Sequence, residues 1–135
     1  CYNSIRNEVD LSLLINQALE DKKNVALPKV TDKKGAMIFV ELNNMNRLKT
    51  GEFGILEPVG SKCAAKPDFI IVPGVAFSID GDRIGQAGGF YDRFLQKNPT
   101  YSVGVAYDFQ MFEKLPTESH DIKINRIITE KEIYC

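Results

Sequence analysis

The sequence predicts an α/β fold with a largely parallel sheet. Short apolar runs that stop at proline, glycine or polar residues are typical of buried parallel strands. A glycine-rich segment leads into an amphipathic helix between two of these runs. The resulting order of strand, helix and strand is that of the crossover unit from which parallel sheets are built.

The first half of the chain predicts one helix and two strands. Residues 9–20 carry apolar side chains at helical spacing, and Asp10 is a suitable N-cap. The run NVALPKV predicts a strand that closes at Pro28, and residues 36–42 predict a second strand. The polar residues 43–67 contain several glycines and a proline, so they predict a long loop.

The second half predicts the parallel part of the sheet. Strands are predicted at 69–72, 101–107 and 122–129, and a helix is predicted at 88–98. Ligands of open α/β sheets bind in the crevice at the carboxyl ends of the strands. Residues 73–92 and 107–121 follow such ends, so we expect the functional groups there.

Length, charge and cysteine use limit the class of protein. The 135 residues suit a single domain spanning residues 1–135. The formal net charge of −1 gives no overall attraction for nucleic acid or an anionic membrane, and no apolar run approaches the roughly 18 residues of a membrane span. Three widely spaced cysteines form no metal-binding pattern and favour free thiols in a reducing cytoplasm.

The segment RIGQAGGFYDR, residues 83–93, is the strongest candidate for a ligand site. Glycines allow backbone N–H groups to approach an anion closely, and a helix N-terminus adds partial positive charge. Arg83 and Arg93 could neutralise phosphate oxygens. The segment matches no Walker A loop, so the spacing alone leaves phosphate binding and a tight structural turn equally open.

Three carboxylates are further candidates. Asp92, beside the glycines, could hold Mg²⁺, which prefers one or two carboxylates together with phosphate oxygens. Asp121 precedes the last predicted strand and could be the second carboxylate. Glu8 could accept hydrogen bonds from a substrate N–H group. The structural alternatives are a first-turn helix residue for Asp92, a surface turn for Asp121 and a capping carboxylate for Glu8.

Beyond this spacing, the longer run VPGVAFSIDGDRIGQAGGFYDRFL resembles the signature of the 5-formyltetrahydrofolate cyclo-ligase family, also called 5,10-methenyltetrahydrofolate synthetases. Further segments resemble the family in the same order along the chain: YNSIRNEVDLSLLINQAL, NVALPKV, GEFGILEP and HDIKINRIITEKEIY. The likeness therefore covers nearly the whole chain.

The resemblance implies a three-layer α/β fold like that of the sugar-isomerase and CoA-transferase group. It implies a cytoplasmic, monomeric ligase that uses ATP and Mg²⁺ to cyclise 5-formyltetrahydrofolate to 5,10-methenyltetrahydrofolate, with release of ADP and phosphate. In that chemistry the formyl oxygen is phosphorylated, N10 of the folate attacks, and phosphate leaves.

The resemblance also implies residue roles. The catalytic residues are Arg83, Tyr91 and Asp92. The ATP-binding residues are Arg83, Ile84, Gly85, Gln86, Ala87, Gly88, Gly89, Phe90 and Tyr91. The folate-binding residues are Asn3, Glu8, Gln86, Ala87, Gly88, Gly89 and Phe90. The Mg²⁺ ligands are Asp92 and Asp121.

The chain departs from the family pattern in three places. Ala87 stands where the family has a glycine, and Ser78 stands where it has an aspartate. The family's N-terminal helical segment, with a lysine and an arginine that contact ATP, has no counterpart here, so we expect an N-terminally truncated chain. These departures support an alternative: a member that binds nucleotide or folate without turnover.

Overall fold

The structure is a computed structural model that describes residues 1–31, 36–51, 54–60, 66–86 and 88–135. The chain forms two compact units, Cys1–Pro67 and Asp68–Cys135. Within the described ranges, no helix combines the length and the apolar character that crossing a membrane requires. The mixed α/β class predicted from the sequence is confirmed.

The described residues of the first unit form one α-helix and two strand pairs. Its elements are α1 (Ser12–Glu20), β1 (Val25–Val30), β2 (Met37–Leu42), a 3₁₀ turn (Met45–Arg47), β3 (Leu48–Thr50) and β4 (Leu56–Pro58). Strands β1 and β2 pair antiparallel from Val25 opposite Leu42 to Val30 opposite Met37. Strands β3 and β4 also pair antiparallel. Ile15 of α1 and Leu27 of β1 are among the most buried side chains.

Two predictions for the first unit were wrong. Strand β1 does not close at Pro28 but continues to Val30. Proline is tolerated in a strand where its missing N–H is not needed by the ladder, and within the described ranges β1 pairs with β2 alone. Residues 43–67 are not one loop, because β3 and β4 lie within them; the exposed Lys49 and Thr50 gave these strands no apolar pattern.

The prediction that Asp10 is the N-cap of a helix starting at residue 9 was also wrong, because α1 begins at Ser12 and its N-cap is Leu11. One carboxylate oxygen of Asp10 accepts the backbone N–H of Ser12 at 2.9 Å and also its hydroxyl. These two hydrogen bonds satisfy a donor at the start of α1 and hold the pKa of the Asp10 carboxyl below its usual value.

The second unit contains two sheets and one helix. Its elements are β5 (Phe69–Val72), β6 (Ala76–Ser78), β7 (Arg83–Ile84), α2 (Phe90–Lys97), β8 (Tyr101–Val105), a 3₁₀ turn (Asp108–Gln110), β9 (Met111–Phe112), β10 (Arg126–Ile128) and β11 (Ile133–Tyr134). The larger sheet has the strand order β11-β10-β8-β5, and the smaller has the order β7-β6-β9.

Among the residues that the structure describes, parallel pairing occurs in the second unit and not in the first. Strand β8 pairs parallel with both β5 and β10, and β6 pairs parallel with β9. The prediction of a largely parallel sheet holds for the β10-β8-β5 part of the larger sheet, whereas β11 and the strand pairs of the first unit are antiparallel. Short connections such as that between β1 and β2 permit only antiparallel pairing, because a parallel pair needs a longer crossover.

The helix α2 supplies the crossover between the parallel strands β5 and β8. Its apolar side chains face one side, where Leu95 is buried and Phe90 and Phe94 are partly buried, as the predicted stripe requires. The strands contribute Ile70, Val72 and Ile127 to the buried residues. The helix N-terminus thereby lies directly after the glycine-rich segment, which is where an anion site would form.

Candidate active site

The segment between β7 and α2 places the predicted catalytic residues next to one another. Gly89 has a left-handed backbone, with φ of 61°, and precedes the first residue of α2. Asp92 lies in the first turn of that helix. Ala87, which is predicted to contact ATP and folate, lies outside the described residues.

The Arg83 side chain is buried, and each of its two terminal nitrogens donates a hydrogen bond. Its side chain is only 5% exposed, its Nη2 donates to Oδ2 of Asp92 at 2.9 Å, and its Nη1 donates to the carbonyl of Pro73 at 3.1 Å. Its guanidinium carbon lies 5.8 Å from the centre of the Tyr91 ring. Three residues with a predicted catalytic role, Arg83, Tyr91 and Asp92, therefore meet in one cluster.

Arg83 Nε stands out within this cluster. It is a buried donor without a hydrogen-bond partner among the described residues. Such a group is costly unless an acceptor reaches it, since burial removes its water. A phosphate oxygen is an acceptor of the kind that arginine binds well.

Asp92 also contacts the segment that contains Asp121. Its second oxygen, Oδ1, accepts the backbone N–H of Ile122 at 3.3 Å, and Ile122 follows Asp121 directly. The same segment is fixed again where the Ile124 N–H donates to the carbonyl of Gly81 at 2.8 Å. The two predicted metal ligands are thus held on neighbouring backbone.

Asp121 sits in a polar turn and keeps part of its carboxylate exposed. Its Oδ2 accepts the backbone N–H of Glu118 at 2.7 Å, and its side chain is 31% exposed. Glu118 and His120 bring further ligand atoms close, since one ligand atom of each of these three residues lies within 4.8 Å of the others. Two carboxylates with oxygen lone pairs to spare fit Mg²⁺, a cation that favours oxygen ligands.

The other residues of the predicted ATP loop include exposed and partly buried side chains. Ile84 and Gln86 are exposed, and the Ile84 carbonyl accepts the N–H of Val75 at 2.7 Å. Phe90 is partly buried, and the guanidinium of Arg93 lies 5.4 Å from the centre of its ring. Arg93 also donates to the carbonyl of Gly88 at 2.7 Å, so this second arginine braces the loop.

Glu8 and Asn3, predicted to contact folate, belong to the first unit. The Glu8 carboxylate accepts the backbone N–H of Ile5 at 3.0 Å, which closes a turn before α1. Burial raises the pKa of Glu8, and this hydrogen bond opposes the rise. Asn3 is partly exposed. Local capping therefore accounts for one contact of Glu8, and its role toward a ligand stays a prediction.

Ser78, the departure in β6, has a local hydrogen-bonding role. Its fully buried hydroxyl donates to Oδ2 of Asp82 at 2.9 Å and accepts the Asp82 N–H at 3.0 Å. Lys123 lies 3.2 Å from the other oxygen of Asp82. Ser78 and Asp82 thus brace the β6–β7 turn, beside the segment that follows Asp121.

Gln110 holds the backbone next to the candidate site, and the sequence analysis did not identify it. Its buried amide nitrogen donates to the carbonyls of Gly74 and Val75, each at 3.1 Å, and its amide oxygen accepts the N–H of Tyr107 at 2.9 Å. With Arg83 on Pro73, side chains hold three successive carbonyls after β5. The position of Gln110 just beyond strand β8 was the only sequence signal available.

Comparison with known proteins identifies the family of the chain. The model of the "5-formyltetrahydrofolate cyclo-ligase family" matches residues 1–130. The chain is 34% identical over 141 residues to the 5-formyltetrahydrofolate cyclo-ligase of Escherichia coli, covering 98% of this chain and 78% of that protein. It is 36% identical over 135 residues to the enzyme of the same name from Haemophilus influenzae, covering 94% and 72% of the two chains.

A solved structure shows the same fold. The 5,10-methenyltetrahydrofolate synthetase of Aquifex aeolicus superposes with a TM-score of 0.85 at 40% identity, covering 98% of this chain and 68% of that one. The family resemblance predicted from the sequence is confirmed by both kinds of comparison. The chain belongs to the 5-formyltetrahydrofolate cyclo-ligase family, a family of enzymes.

Proposed function

We propose that the protein catalyses the ATP- and Mg²⁺-dependent cyclisation of 5-formyltetrahydrofolate to 5,10-methenyltetrahydrofolate, with release of ADP and phosphate. The observation that carries the proposal is the position of Asp92. It lies in the first turn of α2, beside the glycine-rich segment. Its Oδ1 accepts a hydrogen bond from the backbone N–H of Ile122, the residue after Asp121. Family membership supports the same activity.

The proposed division of roles rests on the family resemblance, and the charge and position of the residues support it. The glycine-rich residues, Arg83 through Tyr91, would bind the nucleotide with backbone N–H groups at the N-terminus of α2. Asp92 and Asp121 would hold Mg²⁺ through carboxylate oxygens. Asn3 and Glu8 would contact the folate, together with loop residues Gln86 through Phe90.

The chemistry needs positioning and charge neutralisation more than acid or base groups. When bound, ATP and Mg²⁺ would supply the phosphoryl group that converts the formyl oxygen into a leaving group for attack by N10. The residues of the chain would align the folate with the phosphate loop and stabilise developing negative charge. Arg83 and the backbone N–H groups of the loop are the donors suited to this role.

The test is the appearance of methenyl absorbance when the protein meets 5-formyltetrahydrofolate, ATP and Mg²⁺. Product should form with all three and should disappear when ATP or Mg²⁺ is left out. An absence of product from folded protein with all three present would contradict the proposed activity and favour binding without turnover.

Four further expectations accompany this proposal. We propose that residues 1–135 act as one domain, that the fold is of the sugar-isomerase and CoA-transferase type, and that the enzyme is a cytoplasmic monomer. A net charge of −1 supports the expectation that its partners are small molecules rather than nucleic acid. Light scattering tests the oligomeric state. A nucleic-acid binding assay tests the expectation that the protein does not bind nucleic acid.

A further inference from the structure

We infer that Arg83 is a positioning residue that acts through Asp92 and keeps this carboxylate closed to free divalent cations, so that the metal enters the site with a nucleoside triphosphate and not before it. The inference rests on the proposed function, because it concerns the order in which the ligands of that function bind. It gives Arg83 a task toward Asp92 in addition to the contact with nucleotide phosphate proposed above.

The first step is the burial of the ion pair. The side chain of Arg83 is 5% exposed and that of Asp92 is 18% exposed, with 2.9 Å between Nη2 and Oδ2. Water screens such a pair much less than it screens a surface pair. The guanidinium therefore presents its positive charge directly to the Asp92 carboxylate.

The second step is the fixed position of the guanidinium. Nη1 is anchored on the Pro73 carbonyl at 3.1 Å, and the ring of Tyr91 lies 5.8 Å from the guanidinium carbon. A swing away from Asp92 would unpair buried donors, which costs more than the loss of an exposed contact. Arg83 therefore competes with an incoming cation for the same carboxylate.

The third step is the charge that a free cation meets. Asp92 carries one negative charge, and the buried guanidinium of Arg83 cancels it. Mg²⁺ gives up its water reluctantly and usually binds through one or two carboxylates together with substrate phosphates. A carboxylate whose charge is cancelled is a weak ligand for the free ion, whereas the phosphates of a nucleotide bring several negative charges of their own.

The fourth step is the unpaired donor. Arg83 Nε is buried and has no acceptor among the described residues. A phosphate oxygen arriving with the nucleotide would supply that acceptor, while the other phosphate oxygens would supply the ligands and the negative charge that the metal lacks at Asp92. Binding of nucleotide would then raise the affinity for the metal, and by linkage the metal would raise the affinity for nucleotide equally.

The experiment measures Mn²⁺ binding to the whole chain by calorimetry, with neither nucleotide nor folate present. Arg83→Met is expected to bind free Mn²⁺ at least about tenfold more tightly than the unaltered protein, because one nearby positive charge is gone. Arg126→Met is the matched control. It removes the same charge from an exposed position at the amino end of β10, and we expect its affinity to change by less than about twofold.

A double-mutant cycle links the effect to Asp92. In an Asp92→Asn background, Arg83→Met is expected to leave Mn²⁺ affinity unchanged, since the competed carboxylate is absent. Equal affinities of Arg83→Met and the unaltered protein would overturn the inference. So would a gain that persists in the Asp92→Asn background.

If Arg83→Met does not fold, Mn²⁺ binding to the unaltered protein tests the inference instead. We expect its affinity for Mn²⁺ alone to be weaker than about millimolar, with saturable binding on addition of ATP. Saturable micromolar binding of Mn²⁺ without nucleotide would overturn the inference. Failure to form methenyl product would contradict the proposed function instead, since the Mn²⁺ titration contains no folate.

Discussion

The backbone N–H of Ile122 lies 3.3 Å from Oδ1 of Asp92, a residue thirty positions earlier in the chain. This contact joins the start of α2 to the segment that leads into β10. It holds the residue that follows Asp121 against the carboxylate in the first turn of α2. This backbone contact is the basis of the metal site proposed above.

Asp92→Asn should abolish the Mg²⁺ dependence of ATP binding. The substitution keeps an oxygen that can accept the Ile122 N–H but removes the charge that holds the cation. Nucleotide affinity measured at several Mg²⁺ concentrations tests this, with Asp80→Asn, an exposed aspartate of the β6–β7 turn, as the control. An affinity that still rises with Mg²⁺ in folded Asp92→Asn would refute the metal role.

Gln110→Leu should lower the free energy of unfolding by about 3 kcal/mol, because it leaves the Gly74 and Val75 carbonyls and the Tyr107 N–H without their partner. Urea unfolding measures the change. Gln96→Leu, at an exposed position of α2, should change stability by less than about 0.5 kcal/mol. Similar losses in both variants would show that the Gln110 amide does not hold the two turns together.

Gly81→Ala should damage the site more than Gly89→Ala. Both glycines have positive φ, 88° and 61°, so either alanine adds backbone strain of about 1 kcal/mol. A methyl group at Gly81 would also lie 2.5 Å from the Ile124 carbonyl, whereas at Gly89 it would meet the flexible Arg93 guanidinium at 2.7 Å.

The displaced Ile124 segment carries Asp121, so Gly81→Ala should weaken the requirement for Mg²⁺ as well as stability. Thermal unfolding and the Mg²⁺ concentration that gives half-maximal methenyl formation measure the two effects. A larger effect of Gly89→Ala on both would argue against the placement of Asp121 by this turn.

Asp10→Ala should destabilise the protein at neutral pH and have less effect in acid. Hydrogen bonds from the hydroxyl and the N–H of Ser12 lower the pKa of Asp10 from 3.8. A lowered pKa in the folded state means that the stabilisation is full above 3.8 and is lost as the pH falls through the folded value.

Urea unfolding of the unaltered protein and of Asp10→Ala, from about pH 6 to about pH 2, tests this dependence. The two free energies of unfolding should converge as the pH falls. Glu113→Ala, at an exposed position, serves as the control and should show a smaller difference at neutral pH. A gap that widens toward acid would contradict a stabilising role for the two hydrogen bonds from Ser12 to Asp10.

The sequence predicted those features that depend on local pattern. The buried Leu95 lies on the helical stripe, the strand at Phe69–Val72 was visible as an apolar run, and the glycines marked the start of α2. Strands β3 and β4 escaped prediction because they are short and partly exposed. Helix and strand periodicity carries no information about such segments.

The side-chain contacts of the candidate site join residues that are far apart in the sequence, so local sequence patterns could not predict them. Arg83 and Asp92 are nine residues apart, with a loop between them, and their ion pair follows from how β7 and α2 meet. Gln110 reaches Gly74 across 36 residues, and no spacing rule connects them. The resemblance supplied the roles of Asp92 and Asp121, whereas only the folded chain relates the two aspartates through Ile122.

The most direct test of the proposed reaction follows the formyl oxygen of 5-formyltetrahydrofolate. The substrate is labelled with a heavy oxygen isotope in the formyl group, the reaction is run with ATP and Mg²⁺, and the released phosphate is analysed by mass spectrometry. Phosphorylation of the formyl oxygen predicts one labelled oxygen in the phosphate for each methenyl product formed. Methenyl product accompanied by unlabelled phosphate would contradict the account.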